Sequence, residues 1–432
     1  MSHDRDLIPP ATTDAADERA FLTDGVSLGF SAVASALVGL LGWLLAARLL
    51  DPTEVGRASA FVNAFVFCAG VAELGLGQAC LKWLPRAGAH THRILTRVYV
   101  GVIASALVVS VVWGVATRGS LSSQMGLTAH WAVLLFVLAS LAWTLLHVQN
   151  FVLTGLGAAR WVPVEMLTFG VARIVLLVAL AHPYGALGVV WSWVVPTALA
   201  VLVLLAVLLV RRRRLDGRPG ELPTRQAAVR MAGSIYVSTF GMTLMISLVP
   251  LVVTATYGPA LGAVFFIVWN GVAAIEQAAA GFASALVVRL SGDSVVLLRQ
   301  ALRRVLPLFG VPLLLAAAVS APLLHVFGGT YPAEGTTLLR LVCLGLLVRV
   351  IGSMVVGIHL AADRTVRLVL VNTVPALAMV LAVVTLPVHG SLTLLGVAYV
   401  VIQVVVSGAA VLDLALARDP GSAGGRVPAD ER

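Results

Sequence analysis

The sequence predicts an all-α polytopic membrane protein, with about 12 transmembrane helices in two pseudo-symmetric six-helix lobes and both termini cytoplasmic. Three observations carry this reading. Hydrophobic residues make up 59% of the chain and charged residues 11%, less than half of the roughly 25% that a water-facing surface requires. Apolar runs of about 20 residues, enough to cross about 30 Å of hydrocarbon, recur from end to end. The basic residues gather in short clusters between those runs. Composition therefore excludes a soluble enzyme, a nucleic-acid module and a disordered scaffold. The net charge of +9 belongs to membrane topology and not to a nucleic-acid partner.

Residues 1–25 are acidic and polar, with no basic region ahead of the first apolar run, so they form a cytoplasmic tail and not a signal peptide. The first lobe, 26–210, holds spans at roughly 26–48, 58–80, 94–116, 131–154, 163–181 and 185–210. Asp51, Pro52 and Glu54 make a capping box ahead of the second span. In the fourth span Ser140, Trp143, His147, Asn150 and Thr154 recur every three or four residues and share one helix face. Glu165 follows Pro163 and suits a helix N-terminus, and Arg173 lies near the middle of the fifth span. A basic connector, 211–232, opens with Arg211–Arg214 and is expected to anchor to the membrane surface. The second lobe, 233–413, holds spans at roughly 233–256, 260–284, 302–327, 337–360, 367–387 and 392–413, and a second cytoplasmic tail covers 414–432. In the eighth span Asn270, Gln277 and Ser284 form a sparse stripe beside Glu276, and Arg349 lies mid-way along the tenth.

Orientation follows from the 28 arginines and Lys82. With a cytoplasmic N-terminus, 23 basic residues fall inside, and only Arg48, Arg57, Arg118 and Arg340 fall outside. The halves also echo each other. Gly56 and Gly262, Arg160 and Arg364, Pro183 and Pro387, and Glu73 and Glu276 are separated by 203 to 206 residues. An even number of helices per repeat keeps both copies in one orientation, an arrangement in which transporters place a site between the halves.

Cys68, Cys80 and Cys343 lie in apolar runs, an odd set that argues against disulfides and against a cysteine metal site. His130, His182, His325 and His389 lack metal-ligand spacing, and there is no P-loop, G-x-S-x-G or H-E-x-x-H motif. The expectation is a chain with no catalytic residues, no metal and no cofactor.

The turn Arg48, Leu50, Pro52, Val55, Gly56, followed by Gly75 and Gly77 and then Lys82 and Pro85, resembles the opening of the Wzx-type polysaccharide flippases of the MOP superfamily. Phe327 to Ala333 is similar to that family's FG-x-x-Y turn before its tenth helix, and Gly390 with Gly396 to the entry of its last. The resemblance covers the whole chain in topology and implies a MATE/Wzx-like fold. It also implies export of a polyprenyl-(pyro)phosphate-linked oligosaccharide across a bacterial cytoplasmic membrane for surface polysaccharide such as O-antigen, capsule or exopolysaccharide. The implied partners are that carrier, membrane lipids, a polysaccharide polymerase and glycosyltransferases. Multidrug (MATE) exporters share the fold and are the first alternative. A membrane-embedded polymerase or ligase is the second, disfavoured by outer loops of at most about 15 residues.

An ionisable group at the bilayer centre costs about 2.5–3.5 kcal/mol, so each one faces a partner or a wet cavity. Under the resemblance, Arg173 and Arg349 bind the anionic head group through their forked donors. A buried ion pair of Arg349 with Glu276 is the alternative. Trp143, His147 and Asn150 line a sugar-binding cavity or else hold helices together. Glu276 and Glu73 carry the coupling proton, with pairing of Glu73 to Lys82 or Arg86 as its alternative.

Overall fold

The computed structural model describes residues 38–212, 220–271, 294–361, 365–386 and 392–416. Every regular element among them is a helix. In chain order these are α1 (Val38–Leu49), α2 (Pro52–Ala72), α3 (Leu76–Trp83), α4 (Thr91–Ala116), α5 (Arg118–Met125), α6 (Ala129–Gly155) and α7 (Trp161–Arg212). After the connector come α8 (Arg225–Thr243), a π turn (Leu244–Leu248), α9 (Val249–Tyr257), α10 (Pro259–Gly271), α11 (Ser294–Ala318), α12 (Ser320–His325), α13 (Tyr331–Ala361), α14 (Thr365–Thr385) and α15 (Thr393–Leu416). Each expected span overlaps one of these, and among the described residues seven stretches are long and apolar enough to cross a membrane. Leu and Val side chains lie bare along α4, α7 and α15, a surface that hydrocarbon covers and water does not. The halves share an order: long, short, long helix in α4–α5–α6 and again in α11–α12–α13.

The core sits around α2, 78% buried along its apolar window against 28% for the stretch that contains α4. Asp51 caps α2 as expected, its carboxylate accepting from Thr53 N at 2.8 Å and Glu54 N at 3.2 Å. Glu54 does not complete the box. Its carboxylate accepts from Ala186 N at 2.7 Å, 132 residues away, and from Arg57 at 2.8 Å. Leu74 and Gly75 then adopt positive φ and break the expected 58–80 span into α2 and α3.

The fifth and sixth spans meet with no loop between them. Within α7 only Gly185 leaves helical geometry, at φ 54° and ψ −131°. Phe169 and Trp193 would stand about 36 Å apart on a straight helix, yet their ring centroids are 6.0 Å apart. The two arms therefore fold back on each other as a hairpin. Glycine is required at the bend because its φ is positive and a Cβ would fall 2.6 Å from the Glu54 carboxylate.

The connector is shorter than the expected 211–232, because helix persists through Arg212 and resumes at Arg225. Thr224 caps α8 by accepting from Ala227 N. Pro250, which has no N–H, then disturbs the helical ladder. The Val249 N–H reaches back five residues to the Leu244 carbonyl, and the Met245 carbonyl accepts instead from the Trp269 indole at 2.9 Å.

The halves meet where α2 runs beside α8–α9. At one end a Cβ on Gly75 would meet the Ala232 carbonyl at 2.4 Å, and at the other a Cβ on Gly56 would meet the Pro259 carbonyl at 1.8 Å. Arg48 closes that second end by donating to the carbonyls of Val326 and His325, the two residues just before the Phe327–Ala333 stretch.

Candidate functional site

Arg173 lies on the first arm of α7 and points at its second arm. Its guanidinium carbon stands 4.0 Å from the Trp193 ring centroid and 5.4 Å from that of Trp43 on α1. Gly42 lets α1 come this close, since a Cβ there would sit 3.0 Å from the guanidinium. Trp43, Trp193, Trp143, Phe169 and Phe65 form one ring cluster, with centroid separations of 5.3 to 6.2 Å.

The side chain is buried, at 4% exposure, and meets no carboxylate and no hydrogen-bond acceptor among the described residues. Contact with two indole faces is worth about 2 kcal/mol each once desolvated, whereas withdrawing the cation from water costs several kcal/mol. The cage thus leaves a cation that meets no anion among the described residues. Trp43 is also its lid toward the other half, resting edge-on against Phe266 of α10 at 4.6 Å.

Arg349, assigned the same role from sequence, sits differently. It donates to the Val371 carbonyl at 3.2 Å and to Asn372 Oδ1 at 2.9 Å, tying α13 to α14. Glu276, its alternative partner, lies outside the described residues.

The stripe on α6 does not line one cavity wall. Trp143 joins the ring cluster, His147 meets Glu73, and Asn150 donates to Glu165 Oε2 at 3.3 Å. Ser140 and Thr154 turn back to carbonyls of their own helix. Glu165 is therefore a buried hydrogen-bond acceptor, not the helix-end partner expected.

Glu73 stands at the break between α2 and α3 and pairs with His147 Nδ1 at 2.8 Å, not with Lys82 or Arg86. Its side chain is 9% exposed and that of His147 is 53% exposed. One carboxylate oxygen, Oε1, is buried without a partner among the described residues, and Gly77 leaves it room, since a Cβ there would be 2.5 Å away. This pair ties the break between α2 and α3 to α6.

Sequence reasoning missed the cage and two ion contacts. Asp413 on α15 bonds Arg367 at 3.1 Å and stands 3.8 Å from His359. Trp143 and Trp193 well inside apolar runs, away from the interfaces that tryptophan favours, were the available signal for the cage. No metal-binding group of His, Cys, Asp and Glu occurs among the described residues.

No protein-family model matches the chain, and no curated protein does. Solved structures do. The chain is similar to the inward-facing conformation of a multidrug resistance MATE family transporter of the MOP superfamily, at 17% identity over 90% of this chain and 98% of that one, with a TM-score of 0.68. An outward-facing conformation of a transporter of the same description gives 16% identity, 91% and 94% coverage and a TM-score of 0.61. A MATE in its straight conformation gives 17%, 92% and 95%, and 0.59. At these identities the likeness is one of fold: the chain has the all-helical fold of the MATE transporters.

Proposed function

We propose that this chain is a multi-pass membrane exporter, not an enzyme, that works by alternating access and whose cargo is an oligosaccharide linked to polyprenyl phosphate or pyrophosphate. The observation that carries the cargo reading is Arg173, a buried guanidinium with indole faces on two sides and no anion among the described residues. A phosphate about 6 Å away, at an effective dielectric of about 20, would gain about 2.8 kcal/mol per unit charge, and a cationic drug would lose as much. That difference amounts to about two decades of affinity in each direction.

Trp43 supplies the gating. It covers Arg173 while it rests on Phe266. When the halves part at that contact, the lid loses its support and the cation opens to the cavity. The head group enters from the arginine-rich, cytoplasmic side while the polyprenyl tail stays in lipid. Glu73 and His147 are the coupling pair on this reading. Glycosyltransferases would supply the cargo and a polymerase would consume it.

A second reading, export of cationic drugs, draws on the same fold and on the carboxylate oxygen of Glu73 that has no partner among the described residues. Mass spectrometry of polyprenyl-linked oligosaccharides after depletion of the protein separates the two. Accumulated completed carriers with loss of surface polysaccharide are expected. Unchanged carriers with raised sensitivity to cationic dyes would overturn the flippase reading in favour of the drug exporter.

A further inference from the structure

At the arginine-rich end of the seam between the halves, a cleft of about 990 Å³ opens between the end of α3 and the start of α8. Lys82 and Arg86 line it from one half and Arg230 from the other, and none of the three side chains has a hydrogen-bond or ion-pair partner among the described residues. Glu221 also lines the cleft and its side chain pairs with none of them, so the cleft carries three positive charges against one negative. Trp83, Leu222, Met231 and Ile235 give it an apolar flank, and Thr224, Gln226 and Ser234 add neutral polar groups.

The cleft is built and not merely left over. The Glu221 N–H donates to the Arg86 carbonyl at 2.8 Å, which staples the connector to the end of α3. Gly220 lies so close to Ala87 that a Cβ would meet the Ala87 carbonyl at 2.1 Å.

We propose that this cleft binds the phosphate head group of an anionic bilayer lipid, a site separate from Arg173 and independent of the cargo reading. Arg and Lys donors match phosphate oxygens. The adjoining indole and aliphatic wall suits the glycerol and upper acyl chain, which a soluble phosphate does not have. The position fits as well, because the cleft lies at the ends of α3 and α8, on the side where basic clusters meet an anionic leaflet. Since its donors come from both halves, a bound lipid fastens them together at this end and favours the conformer seen here by linkage.

The test is thermal unfolding of the full-length protein in neutral detergent, titrated separately with phosphatidylglycerol, phosphatidylcholine and inorganic phosphate. Phosphatidylglycerol is expected to raise the melting temperature with at least tenfold lower half-saturation than phosphatidylcholine, and inorganic phosphate to leave it unchanged. The triple variant Lys82→Gln, Arg86→Gln, Arg230→Gln should lose that preference while melting normally without lipid. Glu221→Gln should strengthen phosphatidylglycerol binding several-fold, a gain that misfolding cannot imitate. Equal responses to the two lipids, or a preference retained in the triple variant without the Glu221→Gln gain, would overturn the proposal. A shift with inorganic phosphate alone would assign the cleft to a soluble phosphate and overturn the lipid.

Discussion

In the N-terminal half Arg173 is held by ring faces and meets no acceptor among the described residues, whereas in the C-terminal half Arg349 donates to the Val371 carbonyl and to Asn372. Both arginines sit deep in apolar helices, and from sequence they looked interchangeable. Their surroundings give them opposite roles. A guanidinium that bridges two helices through directed hydrogen bonds is a fastening, and its loss strands the acceptor it leaves behind. On the proposed function, a guanidinium against indoles is poised for a charge that arrives from elsewhere. The carboxylates divide the same way: Glu73 keeps one oxygen buried and unpaired among the described residues, while Asp413 is shared between Arg367 and His359 across three helices.

Substitution separates the two roles. Arg349→Met should be the most damaging to stability, by about 3 kcal/mol, because it leaves the Asn372 side chain and the Val371 carbonyl without their donor; a lowered melting temperature in detergent is the check. Arg173→Met should do the reverse. Stability should hold or rise, since a buried cation without a carboxylate is replaced by an apolar side chain. Transport of the anionic carrier should fall about 100-fold, the value of about 2.8 kcal/mol at the head group. A melting temperature that drops as far as for Arg349→Met would erase the contrast between the halves.

Gly56→Ala comes next, at about 2 kcal/mol, because its Cβ has no space beside the Pro259 backbone and the seam must shift to admit it; spin-label distances across that end should lengthen. Glu73→Gln should flatten the dependence of transport on the pH gradient, while Asp413→Asn leaves that dependence in place. Equal flattening by both would mean that the two carboxylates are not specialised. Arg48→Ala should have the smallest effect, below about 1 kcal/mol, since its bonds to Val326 and His325 lie at an exposed edge.

Much of the fold was legible because membrane crossing imposes a coarse rule on composition. Runs of about 20 apolar residues and the placement of arginine lead to helices wherever the structure describes them. What escaped was whatever depends on a distant partner. The spacing of Asp51 and Glu54 marks a helix start, but nothing local reveals that Glu54 caps the hairpin at Ala186. The stripe on α6 places Trp143, His147 and Asn150 on one face, yet three different neighbours claim them. Pro183 and Gly185 signal an interruption, but the tightness of the α7 hairpin comes from the φ of Gly185 and the carboxylate against it. Arg173 and Arg349 were both found by position, and only packing distinguishes them.

The π turn at Leu244–Leu248 gives α8–α9 one residue more than an unbroken α-helix needs there. That surplus is slack held in reserve. If bending draws it out or pushes it along the chain, the helix shortens or rotates by about 100° without unravelling. The Trp269 indole, donating to the Met245 carbonyl, holds the turn in the arrangement described. Deleting Ile246 or Ser247 would remove the slack and stiffen the helix, yet it would place Met245 four residues before Pro250, which has no N–H, so the Met245 carbonyl would stay open to the indole.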